Sequence, residues 1–226
     1  MLNQQIRETI KFFRENLPAD LNALIEQGAG EISALDIVER AKKAGDQMPD
    51  FVLRNQYGDS RSLAEYLAKG PLVVTFYRGV WCPYCNLQLK AYAERYSDIE
   101  AAGATLVAIT PERPEAVNIL RDSGAPQDVI DMAVEKVPFD VLHDAGSTVA
   151  ELLGLIFELP ESHRTLLSSL GVDLEALTGS STYTFPDPAT YVVKPSGEIV
   201  WAFVPNNYRK RAEVDQILDA VVQAKS

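Results

Sequence analysis

The chain has 226 residues, of which 46% are hydrophobic and 23% charged; this is the balance of a globular chain and excludes a disordered, fibrous or collagen-like one. Its 21 Lys and Arg stand against 32 Asp and Glu, a formal net charge of −11, so long-range electrostatics oppose nucleic acid and anionic lipid as partners. The longest apolar runs, such as Leu72 to Tyr77 and Ile199 to Val204, fall far short of the roughly 20 residues a membrane helix requires. The start, Met1 to Arg7, lacks the basic, apolar and small-residue succession of a secretory signal, so a cytoplasmic protein with no membrane partner is expected.

From Leu2 to Leu17 the residues Leu2, Ile6, Ile10, Phe13 and Leu17 recur at helical spacing, and Pro18 ends the helix. A second helix carries Leu21, Leu24 and Ile25 until Gly28 and Gly30 break it, and a third carries Leu35, Val38 and Ala41 up to Gly45. Residues 1–45 thus read as a helical N-terminal extension and residues 46–226 as the main domain. Short helices are marginal alone in water, so the apolar faces of this arm need cover from the main domain or from a second subunit, with a lean towards a homodimer.

A short strand is expected at Phe51 to Leu53, then a turn at Tyr57-Gly58-Asp59 and a helix from Leu63 to Leu67 capped by Ser62. Leu72 to Tyr77 reads as a central strand buried on both faces. The following helix shows Leu89, Tyr92, Ala93, Tyr96 and Ile99 on one side, and Thr105 to Thr110 is a second buried strand, which makes a βαβ unit. Arg113 to Asp122 and Thr148 to Leu153 read as helices and Val137 to Leu142 as a strand, while residues 157–186 read as a less regular insertion. Two strands around Lys194-Pro195-Ser196-Gly197 and a last helix striped by Val214, Ile217, Leu218, Val221 and Val222 complete the chain.

Only two cysteines occur, as Cys82-Pro83-Tyr84-Cys85 at the strand-to-helix junction of the βαβ unit. That placement carries chemistry, because unpaired N–H groups at a helix N-terminus stabilise a thiolate. Two intervening residues bring both sulfurs to one helical turn, so the pair can cycle between dithiol and disulfide. Pro83 suits the first helical position, and Trp81 supplies a flat apolar surface beside the thiol. A structural zinc needs four ligands, and His143 and His163 are the only histidines and lie far away in sequence, so neither metal nor cofactor is expected; each histidine alone reads as a surface or core residue.

Residues 45–53, the string Phe76-Tyr77-Arg78-Gly79-Val80-Trp81-Cys82-Pro83-Tyr84-Cys85, then Val107 to Pro111, and Pro188 to Val193 together resemble the peroxiredoxin superfamily. The likeness is to its peroxiredoxin-like branch, related to alkyl hydroperoxide reductase and thiol-specific antioxidant proteins but carrying a thioredoxin-type Cys-x-x-Cys, and it covers residues 45–222. The resemblance implies an α/β thioredoxin fold, a central mixed sheet flanked by helices. It also implies a thiol-dependent peroxidase that reduces hydrogen peroxide or organic hydroperoxides through Cys82 and Cys85 and is recycled by a thioredoxin or glutathione-type thiol.

Against the family pattern Pro-x-x-x-Thr-x-x-Cys, Arg78 stands at the Pro position, Cys82 at the Thr position and Cys85 at the peroxide-attacking cysteine. Two of these three differ, which keeps a thioredoxin-like protein disulfide reductase as the alternative; a non-catalytic interaction protein is a third reading. Exposure favours Cys82 as the attacking sulfur and the family register favours Cys85, so that choice stays open. Arg78 is the candidate to lower a thiol pKa or to orient a peroxide oxygen. Trp81, Pro83, Tyr84 and Pro188 are the candidate substrate-binding residues, with Pro188 expected in cis against the cysteine pair. Thr75 occupies the place of the buried Asp of thioredoxins, and Tyr208 to Arg211 reads as a solvated entry to the last helix, with Arg211 an outside candidate for the site.

Overall fold

The computed structural model describes residues 1–225. Helix α1 (Leu2–Asn16) ends before Pro18 as expected, but α2 (Ala19–Ser33) runs straight through Gly28 and Gly30. Helical hydrogen bonding and packing outweigh the cost of a glycine here, and Gly28 has a packing reason to be one: a Cβ on it would lie 2.3 Å from Cδ2 of His163. Helix α3 (Ile37–Arg40) is a single turn that buries Ile37 and leaves Val38 exposed, so the expected apolar face is turned over.

Strands β1 (Val52–Asn55) and β2 (Ser60–Ser62) form a hairpin, and α4 (Leu63–Leu67) starts from a capping box in which Ser62 Oγ accepts from Glu65 N and the Glu65 carboxylate accepts from Ser62 N. Then follow β3 (Leu72–Phe76), α5 (Pro83–Glu94), α6 (Tyr96–Ala101) and β4 (Thr105–Thr110), with β3 and β4 parallel as the βαβ reading requires. The one expected helix is two, because the chain leaves helical geometry at Arg95, whose guanidinium binds Asp98 and Asp215. Helices α7 (Ala116–Asp122) and α8 (Gln127–Met132) lead to β5 (Asp140–His143) and α9 (Thr148–Leu152).

The segment expected to be irregular is a folded excursion: β6 (Ile156–Glu158), α10 (Glu161–Ser169), α11 (Leu174–Thr178) and β7 (Thr184–Pro186), with β6 and β7 paired at its base. Strands β8 (Thr190–Val193) and β9 (Ile199–Phe203) and helix α12 (Val214–Gln223) finish the chain. The main sheet is mixed, in the order β2-β1-β5-β4-β3-β8-β9, with β3, β4 and β5 parallel and the other pairings antiparallel.

Alternation along the central strands divides the core. Leu72, Val74, Phe76, Val107 and Ile109 face one layer, whereas Val73, Leu106 and Ala108 face the layer that holds α5, α12 and the helical arm. Leu2, Ile6 and Ile32 of the arm are buried in this second layer, at no more than 3% exposure, so the chain's own body covers the face that had argued for a second subunit. Among the described residues no helix is long and apolar enough to cross a membrane.

Candidate active site

Strand β3 delivers the chain to a loop, Tyr77 to Trp81, that must turn sharply before α5 begins. Gly79 sits there at φ +155°, and a Cβ on it would lie 2.4 Å from Glu112 Oε1 and 2.5 Å from Trp81 Nε1, so only glycine fits. Glu112 Oε2 accepts from Val80 N at 2.8 Å and the Asn86 amide donates to Val80 O at 2.6 Å, fixing the loop from both sides. Cys82 is the residue preceding α5, its carbonyl accepting from Cys85 N and Asn86 N, and Pro83 takes the first helical position as expected.

Both cysteines are free and both are fully excluded from solvent, so the greater exposure expected for Cys82 is not found. Arg78 and Trp81 close over the junction instead. Arg78, 2% exposed, donates from Nη2 to Cys82 Sγ at 3.1 Å and lies against the rings of Trp81 and Tyr208, 4.8 and 4.2 Å from their centroids. Arg211 donates from Nη2 to Cys85 Sγ at 3.2 Å and spends its other donors on Gln88 Oε1 and on the carbonyls of Tyr208 and Lys210. Gln88 in turn donates to Thr75 Oγ1, which pairs with Thr190 at 2.9 Å. The Tyr208 to Arg211 stretch is therefore no solvated helix entry: Tyr208 and Arg211 are buried, because one stacks on the first guanidinium and the other carries the second.

Burial raises the pKa of both thiols, but for Cys82 a hydrogen bond from Cys85, the charges of Arg78 and Arg211 and the Arg78 hydrogen bond overcome it and hold Cys82 well below the usual thiol range. Cys85 is pushed well above that range by burial, by its hydrogen bond to Cys82 and by the Cys82 charge. Within the pair these causes place the negative charge preferentially on Cys82 and the proton preferentially on Cys85. Among the described residues neither guanidinium forms an ion pair with a carboxylate, so the sulfurs supply the counter-charge these buried cations need.

Burial pushes Glu112 up to about 8, with its bond from Val80 N opposing and the Cys82 charge adding to the shift. Asp187, between β7 and β8, is raised to about 6 by burial, against the pull of Arg211. The peptide bond preceding Pro188 is trans, correcting the expected cis bond: among the described residues no cis peptide occurs, and Pro188 simply precedes β8, where the Ala189 carbonyl accepts from Phe76 N. Pro188 is also buried and takes no part in the cavity beside the site.

That cavity, of about 310 Å³, has Arg78, Trp81, Pro83, Tyr84 and Tyr208 in its wall, which brings three of the four expected substrate-binding residues to one place. His163, buried at its side, makes an edge-on contact with Tyr208 and reaches Ile25 O from Nε2. Sequence reasoning missed Gln88, which is one turn along α5 from Cys85, and Glu112, which follows β4; it named His163 as a surface or core residue and Tyr208 as part of a solvated helix entry, without placing either at the site.

Compared with known proteins, residues 44–202 match the model of the AhpC/TSA family. A peroxiredoxin-named protein of Mycobacterium tuberculosis is 33% identical over 79 residues, covering 35% of this chain and 50% of that one. The chloroplastic peroxiredoxin Q of Populus jackii is 25% identical over 174 residues, 77% of this chain and 65% of its own. The chain thus spans half to two thirds of the length of these relatives. Among solved structures, peroxidoxin BcpB from Mycobacterium tuberculosis superposes with a TM-score of 0.57 at 20% identity, covering 81% of this chain and 99% of that one. AhpC of the same organism superposes with a TM-score of 0.56 at 16% identity, over 82% and 94% of the two chains. The architecture is the thioredoxin fold of these neighbours.

Proposed function

Because the chain belongs to the AhpC/TSA family, we propose that it is a thiol-dependent peroxidase in which Cys82 attacks and Cys85 resolves. The Cys82 thiolate attacks the distal peroxide oxygen, an S–O bond forms as the O–O bond breaks, and the leaving alkoxide or hydroxide takes up a proton. Cys82 is then a sulfenic acid. The Cys85 sulfur attacks it, water leaves, and a Cys82–Cys85 disulfide remains, so one peroxide and one dithiol give an alcohol or water, a second water and a disulfide. A thioredoxin or glutathione-type thiol returns the dithiol.

The observation that carries this reading is the pair of buried guanidiniums, each donating to one sulfur and, among the described residues, neither in an ion pair with a carboxylate. They hold the negative charge on sulfur that an attack on O–O requires and polarise the peroxide as it arrives. Complete burial of both sulfurs favours a small oxidant over a folded protein's disulfide, which needs an in-line approach to an exposed thiolate.

Rapid mixing of the reduced protein with peroxide, followed by Trp fluorescence, tests the proposal in the wild type, Cys82→Ser and Cys85→Ser. Wild type is expected to oxidise far faster than a free thiol. Cys82→Ser should lose the fast phase by a factor of roughly 10³ or more, and Cys85→Ser should keep it and stop at a sulfenic acid that a dimedone probe captures. Fast oxidation surviving in Cys82→Ser would reverse the roles of the sulfurs; slow oxidation in all three proteins, with rapid exchange against a protein disulfide, would replace the peroxidase by a disulfide reductase.

A further inference from the structure

Arg78 reaches Cys82 with a single hydrogen bond, from Nη2 to Sγ at 3.1 Å, while its Nε and Nη1 are buried with no hydrogen-bond partner. Among the described residues no carboxylate pairs with it, so polar contacts alone do not fix the plane of this guanidinium. Aromatic rings do. Its Cζ lies 4.8 Å from the ring centroid of Trp81 and 4.2 Å from that of Tyr208, and both rings are themselves held: Phe185 meets Trp81 edge-on at 5.5 Å, and His163 meets Tyr208 edge-on at 5.2 Å.

The arm grips Tyr208 in turn. The Tyr208 hydroxyl accepts from Arg209 Nε at 3.2 Å, and Arg209 is tied to α2 by its ion pair with Glu26. His163 donates from Nε2 to Ile25 O at 3.3 Å and fills the notch that Gly28 leaves on the same helix. A continuous line of contact thus runs from α2 through His163 and Arg209 to Tyr208, then to Arg78 and Cys82. Helix α2 and the segment that carries Tyr208 and Arg209 both lie outside the matched residues 44–202. We propose that Tyr208 is a positioning residue that holds the Arg78 guanidinium on the Cys82 sulfur, and that helix α2 of the arm sets this ring through His163 and Arg209. The peroxidase reading enters only in what Cys82 then attacks. Without the ring, one hydrogen bond is left to hold the guanidinium, and its unpartnered nitrogens gain by turning towards water, which withdraws positive charge from the sulfur. Cys82 is also faced by Arg211, Cys85, Glu112 and Tyr84, so the share that passes through Arg78 is isolated by a double-mutant cycle.

The test follows two readings in the full-length reduced protein: the pH midpoint of iodoacetamide alkylation, read at Cys82 by peptide mass spectrometry, and the rate of oxidation by hydrogen peroxide. It compares the wild type with Tyr208→Phe, Gly28→Ala, Arg78→Met, Tyr208→Leu and the double variant Arg78→Met with Tyr208→Leu. Tyr208→Leu should raise the midpoint by about one pH unit and slow oxidation roughly tenfold, whereas Tyr208→Phe, which keeps the ring, should match the wild type. In the Arg78→Met protein the added Tyr208→Leu should change neither reading. Gly28→Ala, which displaces the His163 ring from the side of the arm, should raise the midpoint in the same direction, and it carries the test if Tyr208→Leu does not fold. An unchanged midpoint in either folded variant, a Phe variant as impaired as the Leu one, or a Leu effect that persists without Arg78 would overturn the assignment while leaving the peroxidase standing. Shifted midpoints with slow oxidation in every protein would instead remove the peroxidase and uphold the positioning role.

Discussion

Arg78 and Arg211 are almost completely withdrawn from water, and each points a nitrogen at one sulfur of the pair. On the proposed function, oxidation to the disulfide would remove the negative charge that balances them, so the buried cations should stabilise the reduced form and make the pair an oxidising one. The reduced protein is therefore expected to melt at a higher temperature than the oxidised one, the reverse of the ordinary effect of a cross-link, and paired calorimetric scans check it. Arg78→Met should make the reduction potential more negative by tens of millivolts, since about 30 mV corresponds to 1.4 kcal/mol, and should move the pH at which Cys82 alkylates upward. Glu112 gives a second residue-level expectation. Its carboxyl holds a proton in the folded protein up to about pH 8 but releases it near 4.5, the ordinary value of a glutamate, when unfolded. The folded state binds the extra proton, so this contribution to stability is full below pH 4.5 and is lost as the pH rises towards 8. Glu112→Gln, which keeps an acceptor for Val80 N, should flatten that slope in urea titrations across the same window.

At the scale of elements, the two glycines of α2 separate helix propensity from packing. Gly30 has nothing within 4 Å of where its Cβ would stand, whereas at Gly28 the His163 ring already fills the space. Gly30→Ala should stabilise by about 0.5–1 kcal/mol and Gly28→Ala should destabilise by about 1–3 kcal/mol, opposite shifts of the urea midpoint from the same chemical change. This pair also shows what was legible in the sequence. Local signals read correctly: the capping box at Ser62, the all-apolar β3, the stop at Pro18 and the cysteine junction each depend on neighbours in the chain. What escaped depends on residues far apart in the chain. Gly28 looked like a breaker because His163 is distant in sequence, residues 157–186 looked irregular because their pairing joins Ile156 to Pro186, and Tyr208 to Arg211 looked solvated because their partners sit on α5 and in the loop before it. Of the residues gathered at the candidate site, Cys82, Cys85 and Arg78 stand in one string of the sequence, whereas Gln88 and Glu112 are joined to them only by the fold.

Across the whole molecule the arm is wired into the candidate site. Leu2 N and Asn3 N donate to the Glu213 carboxylate, Asn3 Nδ2 donates to the Arg211 carbonyl, and Arg211 N donates to Asn3 Oδ1, so the first turn of α1 fixes the segment that carries the second guanidinium. Arg209 adds an ion pair to Glu26, and Ser162 donates to Glu31, joining α2 to the excursion. Arm and body should therefore unfold as one unit. Ile6→Ala, a fully buried position, is expected to cost about 2–4 kcal/mol. It should do so without a separate early transition, so that far-ultraviolet dichroism and Trp fluorescence give coincident curves; an arm that melts first would separate the two.

Seclusion of both sulfurs also turns the protein into a timer. A reagent as small as a peroxide is expected to react with the closed molecule, but a maleimide carrying a polymer should wait for the roof formed by Arg78 and Trp81 to lift, and at high concentration its labelling rate should become independent of concentration and equal to the frequency of lifting. On the proposed cycle, the same frequency would cap how often a protein reductant reaches a Cys82–Cys85 disulfide. Turnover would be set by how often the molecule breathes, not by the speed of sulfur chemistry.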